Sequence, residues 1–239
     1  PKTMKYYYRN TKNEIENYKE WEEYYKNSDE KHWEDGRSAQ SLADFMMQRN
    51  GIDVITNVVN DVLKNDSIDF FEYGIIEYES KFDEFKNGRM QDIAIWGKTK
   101  SNHSIHIGVE AKVDEEFGKT IEDAIKDAEK ALSKSPNSKK KERIEKLSKN
   151  VFKLSSPESI SHLRYQLLHY TAGTIKVDAD IHIMLILVFK TSKYQDAKGK
   201  ENFRDFECYM KTLGDVVDEF TYDLSRLKES TFAIYKEIV

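Results

Sequence analysis

The sequence predicts an α/β fold whose core runs helix, three strands, helix, strand, with helical additions at both ends and one helical insertion. Three observations predict it. Residues 104–113 alternate without a fault, with Ile105, Ile107, Val109, Ala111 and Val113 pointing one way and Ser104, His106, Gly108, Glu110 and Lys112 the other. That period of two belongs to a strand. Residues 181–189 are an apolar run interrupted only by His182, the length of a buried strand. Residues 38–63 instead repeat their apolar positions at helical spacing.

In order, residues 5–32 mix Tyr, Trp, Lys and Glu without Gly or Pro and read as one irregular amphipathic helix. Residues 33–37 form a turn, and Ser38 is a candidate N-cap for a helix to about Arg49 carrying Leu42, Phe45 and Met46. Gly51 punctuates the pattern before a second helix over about 53–63, striped by Ile55, Val58, Val59 and Val62. Strands follow over 70–79, 91–96 and 104–113, the last two joined by a polar stretch suited to a hairpin. Residues 119–151 are helical, highly charged and broken near Ser135-Pro136-Asn137-Ser138. A further helix starts near Ser156-Pro157-Glu158, where Pro suits a first turn, and ends near Gly173. A strand over 180–190 and a helical tail from about Asn202 complete the pattern. The expected division is a helical extension over 1–32, a core over 33–195 with its insertion at about 119–155, and a helical extension over 196–239.

Bulk composition narrows the function classes. The 239 residues are 38% hydrophobic and 34% charged, with 3 Trp, 14 Tyr and 12 Phe, too much buriable aromatic area for a disordered chain. The single cysteine, Cys208, excludes an internal disulfide and a CxxC zinc site. No apolar run reaches the ~20 residues of a membrane span, and the start of the chain lacks the apolar stretch of a signal peptide. The expected place is therefore the cytoplasm, without a membrane partner. Net charge is −5, so a nucleic-acid ligand needs a local basic face. The stretch 134–153 offers one, with eight basic residues against two acidic, although a solvated helix face is the better account and the run supports DNA binding only weakly.

The chemistry concentrates in two strands. One holds Asp92 within Arg89-Met90-Gln91-Asp92-Ile93-Ala94-Ile95-Trp96, and the other holds Glu110 and Lys112, two residues apart and so on one face. Two carboxylates at short range bind a hard divalent cation through oxygen. Such a cation polarises a phosphodiester and lowers the pKa of a bound water, and a neighbouring lysine orients that water or stabilises developing negative charge. Ala94 and Gly108 would leave room for a backbone to approach. The string Asp/Glu-x-Lys alone says little, since it recurs at Asp29, Glu79, Glu84 and Asp196. Only the occurrence at Glu110 sits on a cleanly alternating strand just after another strand containing an acid. A third acid would come from Asp44, Glu77 or Glu79, with Glu77 preferred. In the helix before the last strand, Gln166 and Tyr170 are spaced i, i+4 on one face. There Gln166 could bond near the metal site and Tyr170 could contact a phosphate or a base. Gly36-Arg37-Ser38 at a helix start is a weaker phosphate candidate. His103 and His106 read as surface or packing residues, and His162 and His169, seven apart on nearly one helix face, have no partner acid at ligand spacing.

Asp-(x)n-Glu-x-Lys followed by Q-x-x-x-Y resembles the RecB-type branch of the PD-(D/E)xK nucleases. Three stretches, beginning at Trp33, Val109 and Leu163, also resemble an uncharacterised bacterial family placed in that superfamily. The resemblance spans roughly residues 33–190 and implies a restriction-endonuclease-like αβββαβ core that cuts DNA with Mg²⁺ or Mn²⁺. It implies Asp92, Glu110 and Glu77 as metal ligands, Lys112 as the catalytic ammonium, and Gln166 and Tyr170 in support. Restriction-type cutters often pair, so a homodimer is an expected partner alongside DNA. The motif's usual proline is Gln91 here, and Ala111 stands where Gly is usual. The competing expectations are an inactive scaffold of the same fold that binds nucleic acid or protein, and a helical interaction protein.

Overall fold

The faultless alternation of residues 104–113 yields strand β5 (Ser104–Lys112), at the centre of the sheet. A computed structural model describes residues 3–239; Pro1 and Lys2, which fall within the N-terminal reading above, lie outside the described residues. Hydrogen-bonded to β5 on one side is β4 (Arg89–Thr99), antiparallel, and beyond it β3 (Ile68–Ser80), also antiparallel. On its other side β6 (Ile181–Phe189) runs parallel to it, with Glu110 level with Ile186. Parallel neighbours need a long crossover, and residues 113–180 supply it. They form helices α4 (Ile121–Lys134), α5 (Lys140–Phe152) and α6 (Tyr165–Lys176). Ahead of β3 lie α2 (Ser38–Gln48) and α3 (Gly51–Leu63). The order helix, three strands, helices, strand is thus present in a mixed α/β sheet.

Two expectations about the ends are corrected. Residues 5–32 are not one helix: they form β1 (Lys5–Tyr8), β2 (Glu14–Ile15) and α1 (Tyr18–Asp29). The run of tyrosines at 6–8 is β-prone, and β1 pairs parallel to β3, Tyr6 level with Gly74. Asn17 then caps α1, its side chain accepting from the Glu20 N–H at 3.1 Å. The tail is helical only through α7 (Asp196–Leu213). It continues as β7 (Asp215–Asp218), β8 (Thr221–Asp223) and β9 (Thr231–Ile238), and β9 lies parallel to β6. Among the described residues the sheet has nine strands in the order β2-β1-β3-β4-β5-β6-β9-β8-β7. Its edges are a two-residue strand and a short exposed strand with an acid at each end, both poor templates for further pairing.

One sheet face packs on α1, α2 and α3 through a core that includes Trp21, Phe45, Ile55, Ile93, Val109 and Leu185. The other packs on α4 to α7 through Leu167, Tyr170, Ile186, Phe206 and Tyr235. Helix α6 begins at Tyr165, later than the Ser156-Pro157 start expected. Residues 158–160 make only a 3-10 turn. Arg164 is held extended by a bridge to Thr120, with the Tyr165 N–H donating to the Lys119 carbonyl at 2.9 Å. That bridge ties the start of α6 to the residues just after β5. Among the described residues no helix is long and apolar enough to cross a membrane.

Candidate functional site

Because β5 alternates, Glu110 and Lys112 emerge together on the face that meets α6. The Gln166 amide bridges them: Nε2 donates to Glu110 Oε1 at 2.8 Å, and Lys112 Nζ donates to Gln166 Oε1 at 3.2 Å. Lys112 Nζ lies 3.4 Å from Glu110 Oε1 and also donates to the Glu116 carbonyl at 3.3 Å. Only 4% of Glu110 and 8% of Lys112 is exposed, a depth at which charged side chains persist only when paired. One turn along α6, Tyr170 is buried and donates to the Gly108 carbonyl. Its hydroxyl does not reach a surface where a phosphate or base could meet it. It fixes α6 against β5 and so places Gln166.

A residue given no role from sequence completes this side. Arg89, at the start of β4, donates from Nη2 to Glu110 Oε2, and its guanidinium lies 5.8 Å from the centre of the Tyr170 ring. Burial works against the Arg89 charge, but Glu110 outweighs it and holds the guanidinium pKa above its ordinary value. Burial likewise opposes ionisation of Glu110, yet Arg89 and then Lys112 bring its carboxyl below the usual range.

Asp92 and Glu77 approach from the other side of the sheet. They lie opposite each other between the Ile76–Ile93 and Tyr78–Gln91 pairs of β3 and β4. Regular alternation would put Gln91 and Ile93 on one face, but Gln91 donates to Thr174 of α6 at 3.2 Å while Ile93 packs in the α1–α3 core. The pleat breaks between them, and Glu77 takes a left-handed φ of 54°, a conformation that costs a non-glycine residue of order 1–3 kcal/mol. The Asp92 carboxylate fills a ladder position just past the Ile93–Val109 pair, accepting from the Ala111 N–H at 2.7 Å. Burial first, then Glu110 and Glu77, push the Asp92 carboxyl well up. Burial raises Glu77 to about 7, with Glu110 and Asp29 adding to the shift and Arg9 and Arg89 opposing it. Both acids line a cavity of about 30 Å³ closed by Tyr25, Ser38, Trp21 and Leu42. That is room for roughly one water-sized species.

The expected residues therefore divide. Glu110, Lys112 and Gln166 form one hydrogen-bonded group on the α6 side, and Asp92 and Glu77 form a second group on the α1–α2 side within electrostatic reach of Glu110. Among the described residues no three His, Cys, Asp or Glu side chains already converge as a metal-binding group. Of the other acids considered, Glu79 accepts from the Gly88 N–H at 2.8 Å and Asp44 lies on α2 near Tyr18, whereas Glu77 lines the same small cavity as Asp92. The room expected at Gly108 is already filled, since a Cβ there would meet Gln91 Nε2 at 2.6 Å and Thr174 Oγ1 at 2.9 Å. Arg37 is paired with Asp114 at 2.6 Å rather than free for phosphate.

On the α6 side the group opens into a cleft of about 590 Å³ walled by α4, α5 and α6. Arg89, Lys112, Lys119, Lys140 and Arg143 line it. The basic run at 134–153 therefore contributes Lys140 and Arg143 here, Arg143 held by Asp83 at 2.9 Å, while Lys139, Lys141 and Lys146 make exposed ion pairs. Sequence reasoning gave Arg89 and Tyr25 no role and set His169 aside. For Arg89 a signal existed, a basic residue three places before Asp92 at the head of a strand.

The chain belongs to a family described as a domain of unknown function, DUF6946, whose model matches residues 14–231. No curated protein and no solved structure matches it.

Proposed function

We propose that the chain is a metal-dependent phosphodiester hydrolase of the restriction-endonuclease-like PD-(D/E)xK class, acting on DNA. The observation that carries this reading is the Glu110–Gln166–Lys112 group, held at the inner end of a cleft lined by basic residues, with Asp92 and Glu77 within electrostatic reach behind it. The order α2–α3, β3, β4, β5, α6, β6, with β6 parallel to β5, supports the same class.

The donors suit a hard divalent cation such as Mg²⁺ or Mn²⁺. All three acids offer carboxylate oxygen, and the upward shifts of Asp92 and Glu77 are those of acids short of positive charge. Asp92, Glu110 and Glu77 would hold the ion, which when bound would polarise the scissile phosphate and acidify a water. The chain's own residues do the rest. Lys112 presents its ammonium to the cleft, where it meets negative charge developing on the phosphate. Gln166 restrains both Lys112 and Glu110, and Tyr170 restrains Gln166 by anchoring its helix.

Calorimetric titration of Mn²⁺ into wild type and into Asp92→Ala/Glu110→Ala tests the site. The expected result is binding that vanishes in the double variant, with oligonucleotide cleavage abolished by Glu110→Ala while the circular dichroism spectrum is kept. Cleavage unchanged in Glu110→Ala would sink the proposal. A specific observation favours a second reading, an inactive binding scaffold: Arg89 already neutralises Glu110. Wild type that takes up no Mn²⁺, even with oligonucleotide present, would favour that reading.

A further inference from the structure

We propose that the cleft between α4, α5 and α6 is a subsite for one unstacked nucleotide, so that the substrate is single-stranded or frayed DNA. The inference rests on the hydrolase reading and deepens it. Five basic side chains line the cleft with Glu116 and Asp127, and four of the five are ion-paired: Arg89 and Lys112 with Glu110, Arg143 with Asp83 and Lys119 with Asp127. Counting Glu110 and Asp83 with Glu116 and Asp127, five basic groups against four acidic ones leave the cleft a small positive excess, although the whole chain is acidic. The volume of about 590 Å³ lies in the range of roughly 300–1,000 Å³ typical of sites for one small-molecule-sized unit. Lys112 stands at its inner end, joined to Glu110, and Lys119 and Lys140 stand exposed at its rim.

The wall carries aromatic rings as well as charge. Tyr165 and His169 are i, i+4 on α6, their rings 5.7 Å apart, and both line the cleft with the apolar Ala124 and Ile144. Burial, and then Arg89 and Arg143, bring the His169 pKa down to about 3. At neutral pH it is an uncharged ring beside a tyrosine. Basic groups interleaved with ring faces are what a single strand requires, because every base has a π-face to stack. A base within a duplex already has both faces covered and can offer such a wall only its edge. The α4–α5 insertion thus closes the far side of a pocket that one nucleotide fills.

The test is fluorescence anisotropy in EDTA, which removes divalent cations, with a labelled ten-nucleotide thymidine strand and a blunt duplex of equal length. Binding of the single strand at least tenfold tighter than the duplex is expected. Tyr165→Ala should weaken single-strand binding about tenfold or more. The exposed pair Lys119→Glu/Lys140→Glu should weaken it similarly and flatten its salt dependence, by about 0.7 in the log–log slope for each phosphate no longer neutralised. Equal affinity for strand and duplex would overturn the subsite, as would single-strand binding indifferent to both variants. Free dTMP binding as tightly as the oligonucleotide would overturn a strand as the ligand. Cleavage of the same strand with Mn²⁺ is scored separately: selective binding without cleavage keeps the subsite and removes the hydrolase.

Discussion

Replacing Arg89 by Met removes the guanidinium from Glu110 while keeping an unbranched chain of similar length. In the wild-type protein this pair is almost dry, its side chains 14% and 5% exposed. Breaking a buried pair outright costs about 3–5 kcal/mol, because the surviving charge is left uncompensated. Here Glu110 keeps Lys112 at 3.4 Å and the Gln166 donor at 2.8 Å. The loss should therefore be nearer the worth of one charge-assisted hydrogen bond, about 2–3 kcal/mol. The sign with pH follows. Arg89 holds the Glu110 carboxyl below its usual value, so wild type keeps this contribution until the pH falls through that depressed pKa. In the variant the Glu110 pKa rises, and protonation relieves the folded state in mildly acidic buffer. The difference between the two proteins should thus be largest near pH 7–8 and shrink toward pH 5. Guanidinium denaturation at both pH values measures it. At one Mn²⁺ concentration the variant should gain more stability than wild type, about 2.7 kcal/mol when the ion is in hundredfold excess over the variant's Kd. A variant as stable as wild type at pH 7, or a deficit that grows on acidification, would refute the reasoning.

Two further outcomes are expected. Tyr170→Phe removes the buried hydroxyl's hydrogen bond to the Gly108 carbonyl, at about 0.5–1.5 kcal/mol. Each kcal/mol should lower Tm by about 2–4 °C in a chain of this size, with oligonucleotide affinity unchanged; lost affinity at an unchanged Tm would place the hydroxyl on the substrate. His106 is fully buried with neither ring nitrogen meeting hydrogen-bond geometry, and burial depresses its pKa to about 3. The unfolded chain takes up that proton near pH 6.5 and the folded one does not. Stability should therefore fall as pH drops through this window, by about 2 kcal/mol at pH 5. Glu77 and Asp92 titrate with the opposite sign, so the quantity to measure is the difference between wild type and His106→Leu across pH 5–8. A difference that does not change with pH would contradict the assignment.

What the sequence reveals here is what is local. Strand β5 was legible because its side chains alternate, and that alternation put Glu110 and Lys112 on one face without knowledge of the rest of the sheet. The Gln166–Tyr170 spacing was legible for the same reason, since α-helical geometry decides which residues align. Strand β1 was not, because its four residues are held by the two-residue β2 and by β3, 68 positions away. In the tail, Val216, Val217 and Phe220 mimic helical spacing, whereas residues 231–238 carry Thr, Phe, Ile and Tyr in a β-prone run that was there to be read. The placement of Asp92 depends on a break in the pleat and a left-handed Glu77, neither of which residue type encodes. Arg89 is a partner of Glu110 through the register of the β4–β5 pair: the sequence indicates the hairpin, but not which residues it sets side by side.

Strand β9 has a further consequence, for the timing of assembly. It pairs along the whole of β6, from His182–Thr231 to Phe189–Ile238, yet more than forty residues separate the two in the chain. During synthesis β6 is finished long before its outer neighbour leaves the ribosome. All nine of its residues are buried in the mature fold, so for that interval they present an apolar, unpaired edge, the surface on which stray strands add. Helix α7, made in the meantime, can shield one face of β6 but not its hydrogen-bonding rim. The vulnerable moment in the life of this protein is therefore just before β9 emerges, when the side of the molecule away from the candidate site is still unsealed.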